Sequence, residues 1–211
     1  MRYDGSANFA PWKRFGFFPS LSGAWRISNE QFFHSSFIND LKLRASWGQT
    51  GNDNVSPFQY LQNYILESGQ DPNNKYLGRG NEYGNDATQV PGFSLGPTPN
   101  AGITWERATQ TNLGVDVTML NNALSVSLDL WRANRSDILG APTAVVPDYA
   151  GIILPDENYG KVNSHGLDFD AHFNKSVSHD FSYSVSGNFT YATTKIKYIA
   201  ESPNVPDYQK R

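Results

Sequence analysis

The sequence predicts an all-β protein, an antiparallel meander of about six to seven strands, and three observations carry that expectation. Segments of strict apolar/polar alternation recur along the chain. The links between them alternate between short and long. No stretch approaches the ~18 consecutive apolar residues of a membrane-crossing helix.

Taken in order, Arg2–Gly5 supplies a partial first strand. Residues 15–27 (FGFFPSLSGAWRI) place Leu21, Gly23, Trp25 and Ile27 on one face. Residues 28–40 (SNEQFFHSSFIND) read as a short-side connection, a helical turn capped at Ser28 or Asn29 with phenylalanines packed beneath. Residues 41–53 (LKLRASWGQTGND) set Leu41, Leu43, Ala45 and Trp47 against Lys42, Arg44 and Ser46. Residues 109–119 set Leu113, Val115 and Val117 against Asn112, Asp116 and Thr118. Residues 124–132 set Leu124, Val126, Leu128 and Leu130 against Ser125, Ser127 and Asp129. Residues 166–174 alternate Leu167, Phe169, Ala171 and Phe173 with Asp168, Asp170 and His172. Residues 181–191 alternate Phe181, Tyr183, Val185, Phe189 and Tyr191 with serines, Asn188 and Thr190. Each segment is near the ~9–11 residues of a tilted membrane strand.

Composition narrows the class further. Hydrophobic residues are 38% and charged residues 18%, both low for a globular chain, while aromatics reach 14%. Tyr, Phe and small polar residues at low charge suit β-structure and argue against helix bundles and disorder. The net charge of −3 leaves no basic footprint for nucleic acid. The absence of cysteine excludes disulfides, zinc ribbons and thiol catalysis. The N-terminus, MRYDGSANFAPWKRF, has no apolar core and is not a signal peptide, so an exported protein is expected to extend beyond this chain.

Loop lengths choose between a soluble sheet and a membrane barrel. Leu120–Ala123 and Lys175–Asp180 are hairpin-grade links, whereas roughly fifty residues separate Gly51 from Asn100 and about twenty-three separate Ser136 from Gly160. Short turns at one end and long loops at the other match the periplasmic and extracellular ends of an outer-membrane β-barrel. Trp25, Trp47, Trp105, Trp131 and Tyr191 stand near segment ends, as aromatic girdles would, though aromatics also cap the core of a soluble sandwich.

Five blocks carry a family resemblance: RYDGSANFAPWKRFGFFPSLSGAWRIS, INDLKLRASWGQTGND, WERATQTNLGVDVTMLNNALSVSLDLWRANRSDIL, NYGKVNSHGLDFDAHF and FSYSVSGNFTYATTKI. In this order they resemble consecutive barrel segments of SusC/RagA-type TonB-dependent outer-membrane transporters of Bacteroidetes. The resemblance implies that residues 1–211 are part of the β-barrel domain of a transporter of roughly twenty-two strands. It implies a plug, a TonB box reaching the TonB–ExbB–ExbD complex and a SusD-like lipoprotein lid, with oligosaccharide or peptide as cargo. The chain shows no plug or TonB box, and its last residues are not a terminal strand ending in an aromatic. On this reading the row from Leu41 to Trp47 meets outer-membrane lipid. Lys42, Arg44, Asp116, Asp129, Asp168, Asp170 and His172 then face the lumen.

Sites were sought among the same residues. Asp168, Asp170 and His172 share a strand face at i, i+2 and i+4, where ~6.5–7 Å spacing lets one ion take two of them; a polar lumen row has the same pattern. No metal or cofactor is assigned. Asp71–Lys75 with Glu82 fails as a calcium loop, because Lys75 and Tyr76 stand where a ligand and the turn glycine belong. Gly78–Gly84 lacks the strand and helix of a dinucleotide fingerprint. The Asn-x-Ser/Thr triplets at Asn54, Asn134, Asn174 and Asn188 are near chance in such a composition. No Ser/His/Asp set has nucleophile-elbow context, so no enzyme is expected. Trp105-Glu106-Arg107 reads as strand-start and register structure. Tyr60, Tyr64, Tyr76 and Tyr83, with Phe58 and Phe93, sit among planar amides in the long loop. They suit stacking on sugar or packing against a capping partner, but the reading the residues favour is a local aromatic core that holds the long loop together. The rival from another class is a soluble β-sandwich carbohydrate-binding module using the 51–100 loop.

Overall fold

In the computed structural model, residues 1–67, 92–141 and 154–199 are described. Ten strands run β1 (Arg2–Gly5), β2 (Phe15–Phe18), β3 (Ser20–Arg26), β4 (Ile38–Asn52), β5 (Tyr64–Glu67), β6 (Gly92–Leu95), β7 (Glu106–Met119), β8 (Leu124–Gly140), β9 (Glu157–Ser176) and β10 (Ser182–Tyr198). Six of them form one antiparallel sheet in the order β10-β9-β8-β7-β4-β3; β1–β2 and β5–β6 form two separate pairs. Tyr76, Tyr83 and the runs 71–75 and 78–84 lie outside the described residues.

Register separates the two faces. Trp25, Leu43, Val115, Leu128, Phe169 and Phe189 are cross-strand partners in one row. The neighbouring row reads Arg26, Lys42, Asp116, Ser127, Asp170 and Asn188. Because side chains alternate across a sheet, the first row and its even-spaced neighbours make an apolar face and the second a polar one. On β7 the apolar face runs from Leu113 to Met119 and on β8 from Leu124 to Leu130, roughly 20 Å along each strand. That is close to the ~25 Å apolar band of a membrane barrel. Leu113 is 56% exposed, Leu130 51% and Phe189 59%, so among the described residues no second sheet covers this face. A β-sandwich requires such a cover, and that expectation fails here.

The strands outrun the sequence estimate. β8, β9 and β10 hold 17, 20 and 17 residues, so β8 reaches Gly140 and β9 starts at Glu157, inside what sequence read as one loop. Beyond Leu130 both faces turn polar and the apolar alternation vanishes, yet backbone pairing in water does not require it. The 51–100 loop likewise carries its own β5–β6 ladder. Residues 15–27 are not one strand. Pro19, which has no N–H, divides β2, paired with β1, from β3, paired with β4. The helical turn spans Ile27–Asn29 with no side-chain cap, and Phe32 and Phe37 are 67% and 54% exposed instead of packed beneath. Phe32 meets Trp25 edge-on at 6.3 Å, and Trp25 Nε1 donates to Glu30.

The buried core sits at the loop end. Phe9, Phe18, Ile103 and Trp105 form it, with Val55 and Leu139 packed against them. Trp105 meets Phe18 at 5.3 Å and donates from its indole N–H to the Arg14 carbonyl. Glu106 accepts from Asn52 Nδ2 and from the Leu139 backbone N–H, tying β7 to both neighbours, the register role read from sequence. Trp105 therefore belongs to this core and not to a girdle. Trp131 departs from the girdle too: its register partner Asn112 places it on the polar face, over Gly166, where a Cβ would stand 2.7 Å from the indole.

The β7–β8 turn takes Leu120, Asn121 and Asn122 through φ of 58°, 56° and 66°. Asparagine tolerates this left-handed region better than branched residues do. Asn122→Val should cost about 1–2 kcal/mol, with Asn122→Gly near neutral, read from unfolding of the detergent-solubilised protein. The two open edges and the bare apolar face predict that residues 1–211 expressed alone precipitate without detergent. A monodisperse soluble monomer in sedimentation would contradict the membrane-wall architecture.

Candidate functional site

The polar face carries one clamp. Arg44, from the middle of β4, crosses β7 to β8: its Nε and Nη2 donate to the two Asp116 oxygens at 2.8 and 2.9 Å, and Nη2 reaches Asp129 Oδ2 at 2.9 Å. Ser127 Oγ donates to Asp116 Oδ1 at 2.8 Å. The bidentate fork holds the guanidinium flat to the sheet. Gly114, the register partner of both Arg44 and Asp129, makes that possible. A Cβ there would come within 2.8 Å of Arg44 Cζ and 2.6 Å of Asp129 Oδ1.

The seven residues read from sequence as lumen-facing stand on one face of the sheet. Register places Lys42, Asp116 and Asp170 in one row, Arg44, Asp129 and Asp168 in the next, and His172 beside Ser125 and Ser186. They form two groups. Arg44, Asp116 and Asp129 are joined, whereas Asp168 and Asp170 make no ion pair or hydrogen bond among the described residues. His172 meets Asn174 at 2.7 Å. Among the described residues no three His, Asp or Glu side chains converge as a metal site, because strand spacing keeps the row apart.

Above the sheet, the loops are pinned by amides. Asn158 donates to the Thr104 and Asp137 carbonyls at 2.9 and 2.7 Å and accepts from the Thr104 N–H at 2.9 Å. Asp156 accepts from Gln59 Nε2 at 3.1 Å through its carboxylate and from Asn100 Nδ2 at 2.7 Å through its carbonyl. Ser56, Gln59, Asn63, Thr98 and Asp156 line a cavity of about 260 Å³ there. Of the loop tyrosines, Tyr60 is half-buried and meets Phe58 edge-on at 6.3 Å, while Tyr64 is 69% exposed on β5. The buried core at the loop base is Phe9, Phe18, Ile103 and Trp105, while Tyr76 and Tyr83 lie outside the described residues. Gly114 and Asn158 were missed in the sequence, and Ser127 reads there only as a polar-face residue without a partner. Only Gly114, a glycine inside a dyad strand, carried a signal, since it marks close approach.

Long paired strands, one apolar and one polar face, and loops gathered at one end define a segment of transmembrane β-barrel wall. The comparisons with known proteins agree. Residues 1–210 match the family described as TonB dependent receptor-like, beta-barrel, and the chain belongs to that family. It is 31% identical over 97% of its length to TonB-dependent receptor P3 of Formosa agariphila. It is 30% identical over 93% to TonB-dependent receptor SusC of Bacteroides thetaiotaomicron. The chain spans 19% and 18% of those relatives. Its fold matches the RagAB peptide importer in its closed-closed state with a TM-score of 0.76, at 24% identity, covering 97% of this chain and 21% of that one. The family is one of outer-membrane proteins.

A double-mutant cycle on Arg44 and Asp116 should give a coupling of about 1–2 kcal/mol, reduced from a buried pair because both side chains are a third exposed. A coupling near zero in denaturant unfolding of the full-length protein would mean the clamp is ornamental. Gly114→Ala should weaken the same coupling by displacing the guanidinium.

Proposed function

We propose that the chain is wall and loop structure of an energised outer-membrane importer of oligosaccharides or peptides, working with a SusD-like lipoprotein. The observation that carries this is the two-faced ladder in a chain that matches a TonB-dependent receptor family along almost its whole length. The apolar face meets lipid. The polar face, with Lys42, Arg44, Asp116, Asp129, Asp168, Asp170 and His172, lines the lumen. Energy coupling to TonB–ExbB–ExbD belongs to parts of the transporter other than these strands.

Cargo or lid contact falls to the loop end. Tyr64 is exposed there beside planar amides, the combination that stacks on a sugar ring or packs on a protein partner. Tyr60, Tyr76 and Tyr83 belong to the same loop. Both cargo classes rest on the family resemblance, and the loop composition adds support to the glycan reading.

The decisive experiment deletes the full-length gene in its host and measures uptake of labelled oligosaccharide and peptide mixtures, followed by complementation. Loss of one uptake class, restored by the wild-type gene, supports the proposal; unchanged uptake of both sinks it. Tyr64→Ala should lower uptake several-fold at limiting substrate while leaving the amount of barrel in the membrane unchanged. If the barrel disappears as well, Tyr64 is structural.

A further inference from the structure

Within the unshifted registers of the six-stranded sheet the carboxylates Asp40, Glu106, Asp116, Asp129, Asp168 and Asp170 lie off the apolar face, and Glu157 stands beyond the register shifts at the loop end. Following the register, that face carries Leu, Val, Phe, Ala, Trp and Thr, and at its loop-end margin Arg107, Arg132, Lys161, His165 and Lys195. At the opposite margin the same registers offer Lys175 alone. Arg132 and His165 are direct cross-strand partners, one row above Leu130 and Leu167. Lys195 pairs with Asn163 and Lys161 with Tyr198, on the same face one and two rows further out. Cross-strand partners lie ~5 Å apart and successive same-face residues ~7 Å apart, so the cations form one patch.

The patch is electrostatically unspent. Among the described residues none of Arg107, Arg132, Lys161 and Lys195 forms an ion pair. Asp137, at the β8 bulge beside this margin, is engaged by Ser136 Oγ. Among the described residues Arg132 meets side-chain amides alone, Asn134 and the oxygen of Asn163. Below Arg132 and to one side of the lysines, over β3, β4, β7 and β8, lies an apolar depression of about 630 Å³, lined by Gly23, Ala45, Trp25, Leu43, Leu113 and Leu130. Leu130 is both the wall of that depression and the neighbour below Arg132 on the same strand face.

We infer that this outward-facing patch binds the phosphate headgroup of an anionic lipid in the extracellular leaflet, with an acyl chain lying in the depression beneath. Arg132 supplies a planar fork for phosphate oxygens, and the lysines supply point charges around it. The one-sidedness of the cations matches a membrane whose outer surface presents phosphate, and their place at the edge of the apolar band is headgroup level. The inference rests on the apolar face meeting lipid, as proposed above.

The test uses full-length transporter in nanodiscs of phosphatidylcholine with or without phosphatidylglycerol, and counts lipids retained by native mass spectrometry after transfer to detergent. Phosphatidylglycerol should be retained over phosphatidylcholine, and R132Q/K161Q/K195Q should lower that preference at least about tenfold, while K175Q leaves it unchanged. If the triple variant does not assemble, the wild type decides: retained phosphatidylglycerol should be lost as NaCl rises, and excess inorganic phosphate should not replace it. Equal retention of the two lipids, or full retention by the triple variant, overturns the inference. A wild-type protein that enters neither nanodisc refutes instead the reading of the apolar face as lipid-facing.

Discussion

In hydrocarbon an unpaired backbone N–H or C=O has no water to fall back on, so a strand that crosses lipid must be paired along its whole crossing length. The continuous ladder from β3 to β10 answers that constraint, and most other features follow from the register it imposes. Once Leu43 stands opposite Val115, the alternation puts Lys42 opposite Asp116 and Arg44 opposite Gly114. A slip of one residue would carry Arg44 into lipid and Leu43 into the polar face. The apolar face and the ionic clamp are therefore consequences of a single register.

The polar face shows how the sheet tolerates charge. Arg44 answers two carboxylates on two strands because Gly114 leaves the space between them open. Gly166 does the same for Trp131, whose indole lies across its Cα. In both places a glycine inside a strand trades some intrinsic strand stability for a large side chain lying flat, so the polar face is smoother than its composition suggests. Asp168 and Asp170, one strand further along, receive no such partner among the described residues, which leaves acidic charge available on that part of the face.

The loop end is organised by different chemistry. Its aromatic core and the Asn158 and Asp156 contacts join segments 91 and 54 residues apart in sequence. Chain returning from the long loops is thereby fixed against the top of β7 and β9. Extracellular surface of this kind needs its own core because the long strands beneath offer it little apolar support beyond Leu139.

Dyad alternation over residues 41–47, 109–119, 124–132, 166–174 and 181–191 determined the strand interiors, both faces and the antiparallel order, because burial in lipid is written at period two. The seven polar-face residues were legible for the same reason. Strand ends were not. Past Leu130 and Leu167 the chain stays paired but no longer alternates, and Pro19 splits a segment whose pattern reads as continuous. Only tertiary structure decided that Arg44 bridges two strands and that Trp105 and Trp131 leave the girdle. Those outcomes depend on which residue stands opposite which across separate strands, and a single strand's sequence does not encode its partner's register.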